Sequence, residues 1–304
     1  MCGSHATRVV QRIPAAKLIE AYRQELGIVP ALGVDELAYL ACSACGLLFF
    51  DPPVTGDQKF YEALQKISWY YSAEKQEFRI AAAYVRAPDH VLEIGAGRGL
   101  FAREITPASY TGLEFSTAAV ELAAASGVRL VAESIEHHAA ANPGKYDFAC
   151  AFQVLEHVSD PRSFLRAAVA ALRVGGRLVV SVPGEDSFAR YAVWDVLNMP
   201  PHHVTRWTDE CLRKVGPLCG LDTLALTPEP LGRNMRRAYA QANATQWLAQ
   251  RLHFEPQLID PRVRTPLFRS LSVVAASGVR RLVSLTNKRR RGHAVVAVFE
   301  KNKG

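Results

Sequence analysis

The chain has 304 residues, 49% of them apolar and 21% charged, which fits a globular protein and excludes a disordered or collagen-like one. No run of about 18 apolar residues occurs, so no membrane-spanning helix is expected. The formal net charge of +7 is uneven: residues 1–230 hold 21 Lys/Arg against 26 Asp/Glu, whereas residues 231–304 hold 15 against 3.

The N-terminal Met-Cys-Gly-Ser-His is not followed by an apolar signal core, so secretion is not expected. Six scattered cysteines (Cys2, Cys42, Cys45, Cys150, Cys211, Cys219) fit a reducing cytoplasm better than a disulfide framework. Residues 7–40 read as helix-rich, with Ile13, Leu18, Ile19, Tyr22 and Leu26 at roughly helical spacing and Gly27 as the stop. Cys42-x-x-Cys45-Gly is half of a zinc knuckle. A closed structural zinc site needs four ligands, no second C-x-x-C exists, and Cys2 is far along the chain, so two packed thiols and no metal are expected. Residues 57–78 are rich in aromatics (Phe60, Tyr61, Trp69, Tyr70, Tyr71, Phe78), which suits either a helix burying its rings or a lid over a ligand. The division is therefore a cap over residues 1–73 and a main domain over 74–304.

His90 to Leu100 organises the main domain. The apolar run Val91, Leu92, Ile94 carries one acid, Glu93, and breaks into Gly95-x-Gly97-x-Gly99. This reads as a strand, a tight turn and a helix start, where backbone N–H groups come close to a ligand. The dinucleotide fingerprint requires a third glycine at position 100, which is Leu. From there the period alternates. Strands are predicted at 91–94, 110–114, 128–132, 146–152 and 177–182, and helices at 99–105, 117–125 and 160–173. Ser159-Asp160-Pro161 is a helix start and Gly175-Gly176 a stop. Such βα alternation means a parallel sheet covered on both faces, with ligands at the carboxyl ends of its strands. At those ends lie Glu114, suited to a ribose diol, the Glu133-Ser134-Ile135 loop, suited to flank adenine, and the segment Phe152 to His157.

Taken together these motifs resemble a class I S-adenosylmethionine-dependent methyltransferase of the bacterial small-molecule and glycan type. Glu93-x-Gly95-x-Gly97-x-Gly99 matches the first motif of that family and Glu114 its second acid. Gln153-Val-Leu-Glu156-His157-Val, Leu172-x-x-Gly175-Gly176-x-Leu178 and Val182-Pro183 match later segments. Pro200-Pro201-His202-His203-x-x-Arg206-Trp207-Thr208 matches a motif of a subset, and Gly292 to Val298 the last strand. The resemblance implies an α/β, Rossmann-like seven-stranded sheet of order 3-2-1-4-5-7-6 with the last strand antiparallel, a helical N-terminal cap and a helical insertion before that strand. It also implies S-adenosylmethionine as cofactor. Its binding residues would be Tyr71, Glu93, Gly95, Ala96, Gly97, Gly99, Glu114, Phe115, Ser134, Ile135 and Gln153. Relatives with two cysteine knuckles in this region make Cys42/Cys45 a departure.

Methyl transfer from a sulfonium is an in-line displacement, so the main task is to align acceptor and methyl. A base is needed only where the acceptor loses a proton; His157, His202 and His203 are the candidates. The insertion at about 231–290 is basic. Residues 266–288 are amphipathic, with Leu267, Leu271, Val274, Gly278, Leu282 and Leu285 on one side, and Lys288 to Arg291 follow. Packing on the sheet, a phosphate-bearing acceptor such as a nucleotide-linked sugar, or peripheral contact with an anionic membrane surface would each use this charge. No nucleic-acid-binding module is present. The activity expected is methyl transfer to an O or N of a small molecule or glycan precursor by a cytoplasmic enzyme. The alternatives are a catalytically silent binding protein with this fold and a dinucleotide-dependent oxidoreductase.

Overall fold

The computed structural model describes residues 1–67, 76–285 and 290–302, with side chains given except at 282–285. Trp69, Tyr70 and Tyr71, on which the lid reading leaned, and Lys288 and Arg289 of the basic run lie outside the described residues.

The main sheet forms where the sequence is most continuously apolar. Its strands are β4 (His90–Ile94), β5 (Ser109–Leu113), β6 (Leu130–Val131), β7 (Tyr146–Phe152), β8 (Leu172–Pro183), β10 (Leu221–Pro230) and β11 (Arg291–Lys301), in the order β6-β5-β4-β7-β8-β11-β10. Counted from β4 as the first strand, this is 3-2-1-4-5-7-6. β4 pairs in parallel with β5 and β7, so Glu93 lies between Gly112 and Cys150; β11 runs antiparallel to both of its neighbours. Helices cover both faces: α3 (Gln76–Ala82) on one, and α5 (Ile135–Ala141), α6 (Pro161–Ala171) and α7 (Asp209–Leu218) on the other, with α4 (Thr117–Ala124) linking β5 to β6. α6 starts as its sequence dictates: the Asp160 carboxylate accepts from the Arg162 and Ser163 amides, and Pro161 takes the first helical position. The helix expected over 99–105 is only a 3-10 turn at Phe101–Arg103.

The N-terminal segment differs from the expected helical cap. It contains β1 (Thr7–Pro14), α1 (Ala15–Leu26), β2 (Glu36–Cys42), β3 (Leu48–Asp51) and α2 (Gln58–Gln65). The three strands form an antiparallel sheet in the order β1-β2-β3-β9, completed by β9 (Thr205–Arg206) from the main domain. Only α1 falls in the stretch read as helix-rich. Its Leu18, Ala21 and Tyr22 join Ile13, Leu37, Tyr39 and Phe50 in a separate core beneath this small sheet. Cys42, Cys45 and Leu47 pack instead into the core under the main sheet, so the two layers are continuous there.

The insertion is helical as expected: α8 (Arg236–Arg251) packs against α9 (Pro266–Leu285). The amphipathic reading of α9 is inverted at its first turns. Phe268 and Ser272 are buried, whereas Leu267 and Val274 are 72% and 73% exposed and Leu271 is also exposed. Because α8 offers Ala244, Leu248 and Ala249 as its inner surface, a single large ring, Phe268, fills the gap along with Phe254 and Val263. Among the described residues, no helix is long and apolar enough to cross a membrane. Phe268→Ala is expected to cost about 3 kcal/mol of stability, whereas Leu267→Ala and Val274→Ala should each stay within roughly 0.5 kcal/mol. Thermal denaturation of the three variants checks this; equal losses would mean that α9 packs through its other face.

Candidate active site

The glycine turn after β4 is held by its own amides. Gly95 and Ala96 donate to the Leu113 carbonyl at 2.8 and 2.9 Å, and Gly99 donates to Ala96 at 2.8 Å. Gly97 donates to the Glu114 carboxylate at 2.9 Å, and Ser116 donates to its other oxygen at 2.8 Å. These amides are therefore spent on shaping the turn, contrary to the expectation that they face a ligand. All three glycines have positive φ, which a side chain rarely tolerates. Their surroundings differ. A Cβ on Gly95 would meet Val154 at 2.5 Å and one on Gly99 would meet Val128 at 2.7 Å, whereas a Cβ on Gly97 would meet nothing within 4 Å. Gly97 thus presents a bare backbone surface to open space at the carboxyl edge of the sheet, the cradle that a flat, polar cofactor needs.

Glu93 lies beneath this turn, buried, and accepts a hydrogen bond of 2.5 Å from the Tyr110 hydroxyl. Burial, followed by the Glu93 charge, pushes the Tyr110 hydroxyl far up, so it stays a donor to the acid. Tyr110 was not among the residues expected from the sequence; its one sequence mark is its place on β5, two residues before Gly112. Phe115 is 70% exposed beside Glu114, its ring accessible at the strand end. Ser134 caps α5 by accepting from the His137 amide, and Ile135 is buried in the core. Gln153 ends β7 with φ of 57°, unusual for a residue with a side chain, and its amide donates to Ser181 Oγ at 3.1 Å.

The three candidate histidines, distant in sequence, come together. The ring centroids of His157, His202 and His203 are separated by 4.4 to 4.8 Å. Each Nδ1 donates to a fixed oxygen: His157 to the His202 carbonyl at 2.6 Å, His202 to the Leu197 carbonyl at 2.8 Å and His203 to Asn198 Oδ1 at 3.0 Å. Burial pushes His202 down to about 3 and His203 well below the usual imidazole range, so both are neutral. His157 is partly exposed, and it follows Val154, the residue packed on Gly95. From α2, Tyr61 stands with its hydroxyl 3.4 Å from His157 Nδ1, and Phe60 sets its ring 6.4 Å from that of His202. These two residues of the aromatic segment therefore border the cluster; burial pushes the Tyr61 hydroxyl up to about 12.

The loop carrying His202 and His203 is anchored from two directions. The buried Tyr22 hydroxyl of α1 reaches the Val196 and Met199 carbonyls at 2.6 and 3.0 Å. The Val204 amide donates to Glu156 O at 2.9 Å, and the Val204 carbonyl accepts from Phe50 at 3.0 Å. Arg206 follows, fully buried, bonded to Glu185 at 2.8 Å and lying over the Tyr39 ring. Burial opposes its charge, but the Glu185 carboxylate, together with the Tyr39 hydroxyl and Asp195, outweighs burial and holds the guanidinium charged.

Two further expectations change. Cys2 is not remote from Cys42: the sulfurs are 3.6 Å apart, and Cys2, Cys42 and Cys45 offer three thiols within 4.8 Å of one another. A hydrogen bond from Cys211 holds the Cys45 thiol low, at about 4, while Cys211 itself is pushed up. The end of the basic run is engaged within the fold: Arg291 pairs with both Asp209 oxygens at 2.7 and 2.6 Å, and Arg290 donates to the Tyr239 hydroxyl at 2.9 Å.

A mixed seven-stranded sheet of this order, with an acid under a glycine turn and a second acid after the next strand, defines a class I S-adenosylmethionine-dependent methyltransferase. The chain belongs to this family: the family model described as a methyltransferase domain matches residues 69–226. The chain is 35% identical over 99 residues to the ubiquinone biosynthesis O-methyltransferase of Serratia proteamaculans, covering 30% of this chain and 41% of that protein. The corresponding enzyme of Vibrio parahaemolyticus is also 35% identical over 99 residues, covering 30% of this chain and 42% of that protein. The chain thus spans about two fifths of the length of these curated relatives. A solved S-adenosylmethionine-dependent methyltransferase from Archaeoglobus fulgidus superposes with a TM-score of 0.51 at 15% identity, over 79% of this chain and all of that one. The cofactor is S-adenosylmethionine.

Gly97→Val fills the open cradle with a branched side chain at an unfavourable φ. Calorimetric titration with S-adenosylmethionine should then show no binding while the circular dichroism spectrum stays that of the wild type. Unaltered binding would remove the turn from the cofactor site.

Proposed function

We propose that the chain transfers the methyl group of S-adenosylmethionine to a hydroxyl oxygen of a small molecule or glycan precursor. The observation that carries this reading is the convergence of His157, His202 and His203 beside the loop that packs on the glycine turn. The relatives named above as O-methyltransferases support oxygen over nitrogen.

Bound at the turn, S-adenosylmethionine supplies a methyl group on a sulfonium, a good leaving group. The chain's residues do the rest. Gly97 allows close approach of the cofactor, Glu114 has lone pairs beyond its two amide bonds for a ribose diol, and the exposed Phe115 ring offers a surface for adenine. Glu93, through Tyr110, fixes the turn from below. Tyr61 and the histidines bound the acceptor's side, where they orient its hydroxyl for in-line attack and assist loss of its proton.

Alanine in place of His157, His202 or His203 should lower turnover on a panel of phenolic and sugar hydroxyl acceptors by about 100-fold. The dissociation constant for S-adenosylmethionine should remain that of the wild type. Retention of most turnover by all three variants would take the cluster out of the reaction, and absence of turnover by the wild type on every acceptor would favour a silent binding protein.

The surface of α9 supports a second element of this reading, peripheral contact with an anionic lipid surface. Leu267, Leu271 and Val274 form one exposed apolar row, and Arg281, seven residues after Val274, is exposed too. Cosedimentation with phosphatidylglycerol vesicles should exceed that with phosphatidylcholine vesicles and fall sharply in a Leu271→Glu/Val274→Glu variant. Equal sedimentation with both lipids, or no effect of the substitutions, would reject it.

A further inference from the structure

We infer that Cys2, Cys42, Cys45 and Cys211 form a closed, structural site for one Zn²⁺ ion that fastens the N-terminal sheet to the main domain. The inference is independent of the methyl-transfer reading. The four residues come from three separate stretches: the segment before β1, the end of β2 with the turn after it, and the first turn of α7. Cys2, Cys42 and Cys45 place their sulfurs within 4.8 Å of one another, and those of Cys2 and Cys42 are 3.6 Å apart. Cys211 adds a fourth sulfur, hydrogen-bonded to that of Cys45. Cys42, Cys45 and Cys211 are buried, and Cys2 is partly exposed. A disulfide needs sulfurs about 2.0 Å apart. Four thiolates around one Zn²⁺, with bonds of about 2.3 Å, stand roughly 3.8 Å from one another. The spacing of Cys2 and Cys42 fits the second arrangement. The two ligands that the Cys42-x-x-Cys45 pattern lacks are supplied by folding.

The backbone around the sulfurs supports the same reading. Gly46, at φ of 79°, closes the turn: its amide donates to the Cys42 carbonyl at 3.0 Å, and the Cys42 amide donates to the Leu47 carbonyl at 2.8 Å. The Ser4 amide donates to the Cys2 sulfur and the Leu47 amide to the Cys45 sulfur. An amide donor favours the thiolate, the form that binds metal. Further bonds hold the stretches against one another, as the outer contacts of a metal site do. The Ser43 amide donates to the Ala6 carbonyl at 2.8 Å, which brings Cys2 to the turn. Lys214 Nζ donates to the Ala44 carbonyl at 2.8 Å, and the Thr208 hydroxyl donates to the Gly46 carbonyl at 3.2 Å, which seat the turn on α7.

Soft thiolate sulfur selects Zn²⁺ over the oxygen-seeking Mg²⁺ and Ca²⁺. Each thiol gives its proton to solvent as its sulfur takes the metal, and no electron is transferred. With four protein ligands the ion has no open position, so it holds structure and takes no substrate. Cys211 follows Trp207 by four residues. The ion therefore clamps the segment before β1 and the β2–β3 turn to the helix that follows the histidine-bearing segment. The short pairing of β9 with β3 joins the same two layers, and the metal reinforces it.

The full chain, stripped by a chelator under reductant and titrated with Co²⁺ alone, should show a sulfur-to-cobalt charge-transfer band and the strong visible absorption of tetrahedral Co²⁺. Added Zn²⁺ should abolish both and raise the thermal midpoint above that of the stripped chain. Cys2→Ser, at the partly exposed ligand, should keep the wild-type circular dichroism spectrum and weaken Co²⁺ binding by about tenfold or more. Cys211→Ser should lower the charge-transfer intensity by about a quarter, one thiolate of four being lost. Cys219→Ser, outside the cluster, should change neither. Cobalt bound without the charge-transfer band overturns the site, as does unchanged affinity in Cys2→Ser or unchanged intensity in Cys211→Ser. A wild-type chain with its six thiols reduced that takes up neither Co²⁺ nor Zn²⁺ overturns it as well.

Discussion

The histidine cluster depends on one segment, Val196 to Trp207, being held by two sheets at once. Tyr22 grips its start from the small sheet's helix, Phe50 and Leu48 pair with its end, and Glu156 of the main domain accepts from its middle. Each bond contributes about 1 kcal/mol, and their joint effect is positional. His202 and His203 reach His157 only because the segment cannot drift. Arg206 and Trp207 lock the far end, one through Glu185 and the other through Thr205, whose hydroxyl in turn donates to Leu155.

The glycine turn is held differently. It is built from consecutive residues, in which Gly95, Gly97 and Gly99 turn the chain and Glu114 takes up an amide of that turn. That locality is why it was legible in the sequence. Apolar runs with glycine nearby identify buried parallel strands with little help from distant contacts; β4 and β7 follow that pattern closely, whereas β8 begins at Leu172 and takes in the Gly175-Gly176 read as a stop.

The less legible parts all involve partners far along the chain. β1 carries only two buried side chains, while Val9 and Val10 are exposed, so no alternation marks it as a strand. Its pairing with β2 decides the matter, and the helical spacing of Ile13, Leu18 and Tyr22 ran across its boundary with α1. On α9 the leucines and valine do share one side, as their spacing predicts, but that side faces solvent at its first turns. The neighbouring helix supplies small side chains, so Phe268 goes in and Leu267, Leu271 and Val274 stay out. Cys2 sits beside Cys42 because the chain enters next to the β2–β3 turn, where the Ser43 amide donates to Ala6 O. Tyr110 escaped notice because a tyrosine on a strand has no mark of its function until the acid on the adjacent strand is aligned with it.

β9 has a consequence for how such an enzyme diversifies. This strand of two residues joins the histidine-bearing segment to the N-terminal sheet; among the described residues the Gly95–Gly99 turn has no strand pairing with that sheet. Exchange of the first sixty or so residues between relatives would therefore shift the setting of His202 and His203 while leaving the Gly95–Gly99 turn on its own supports.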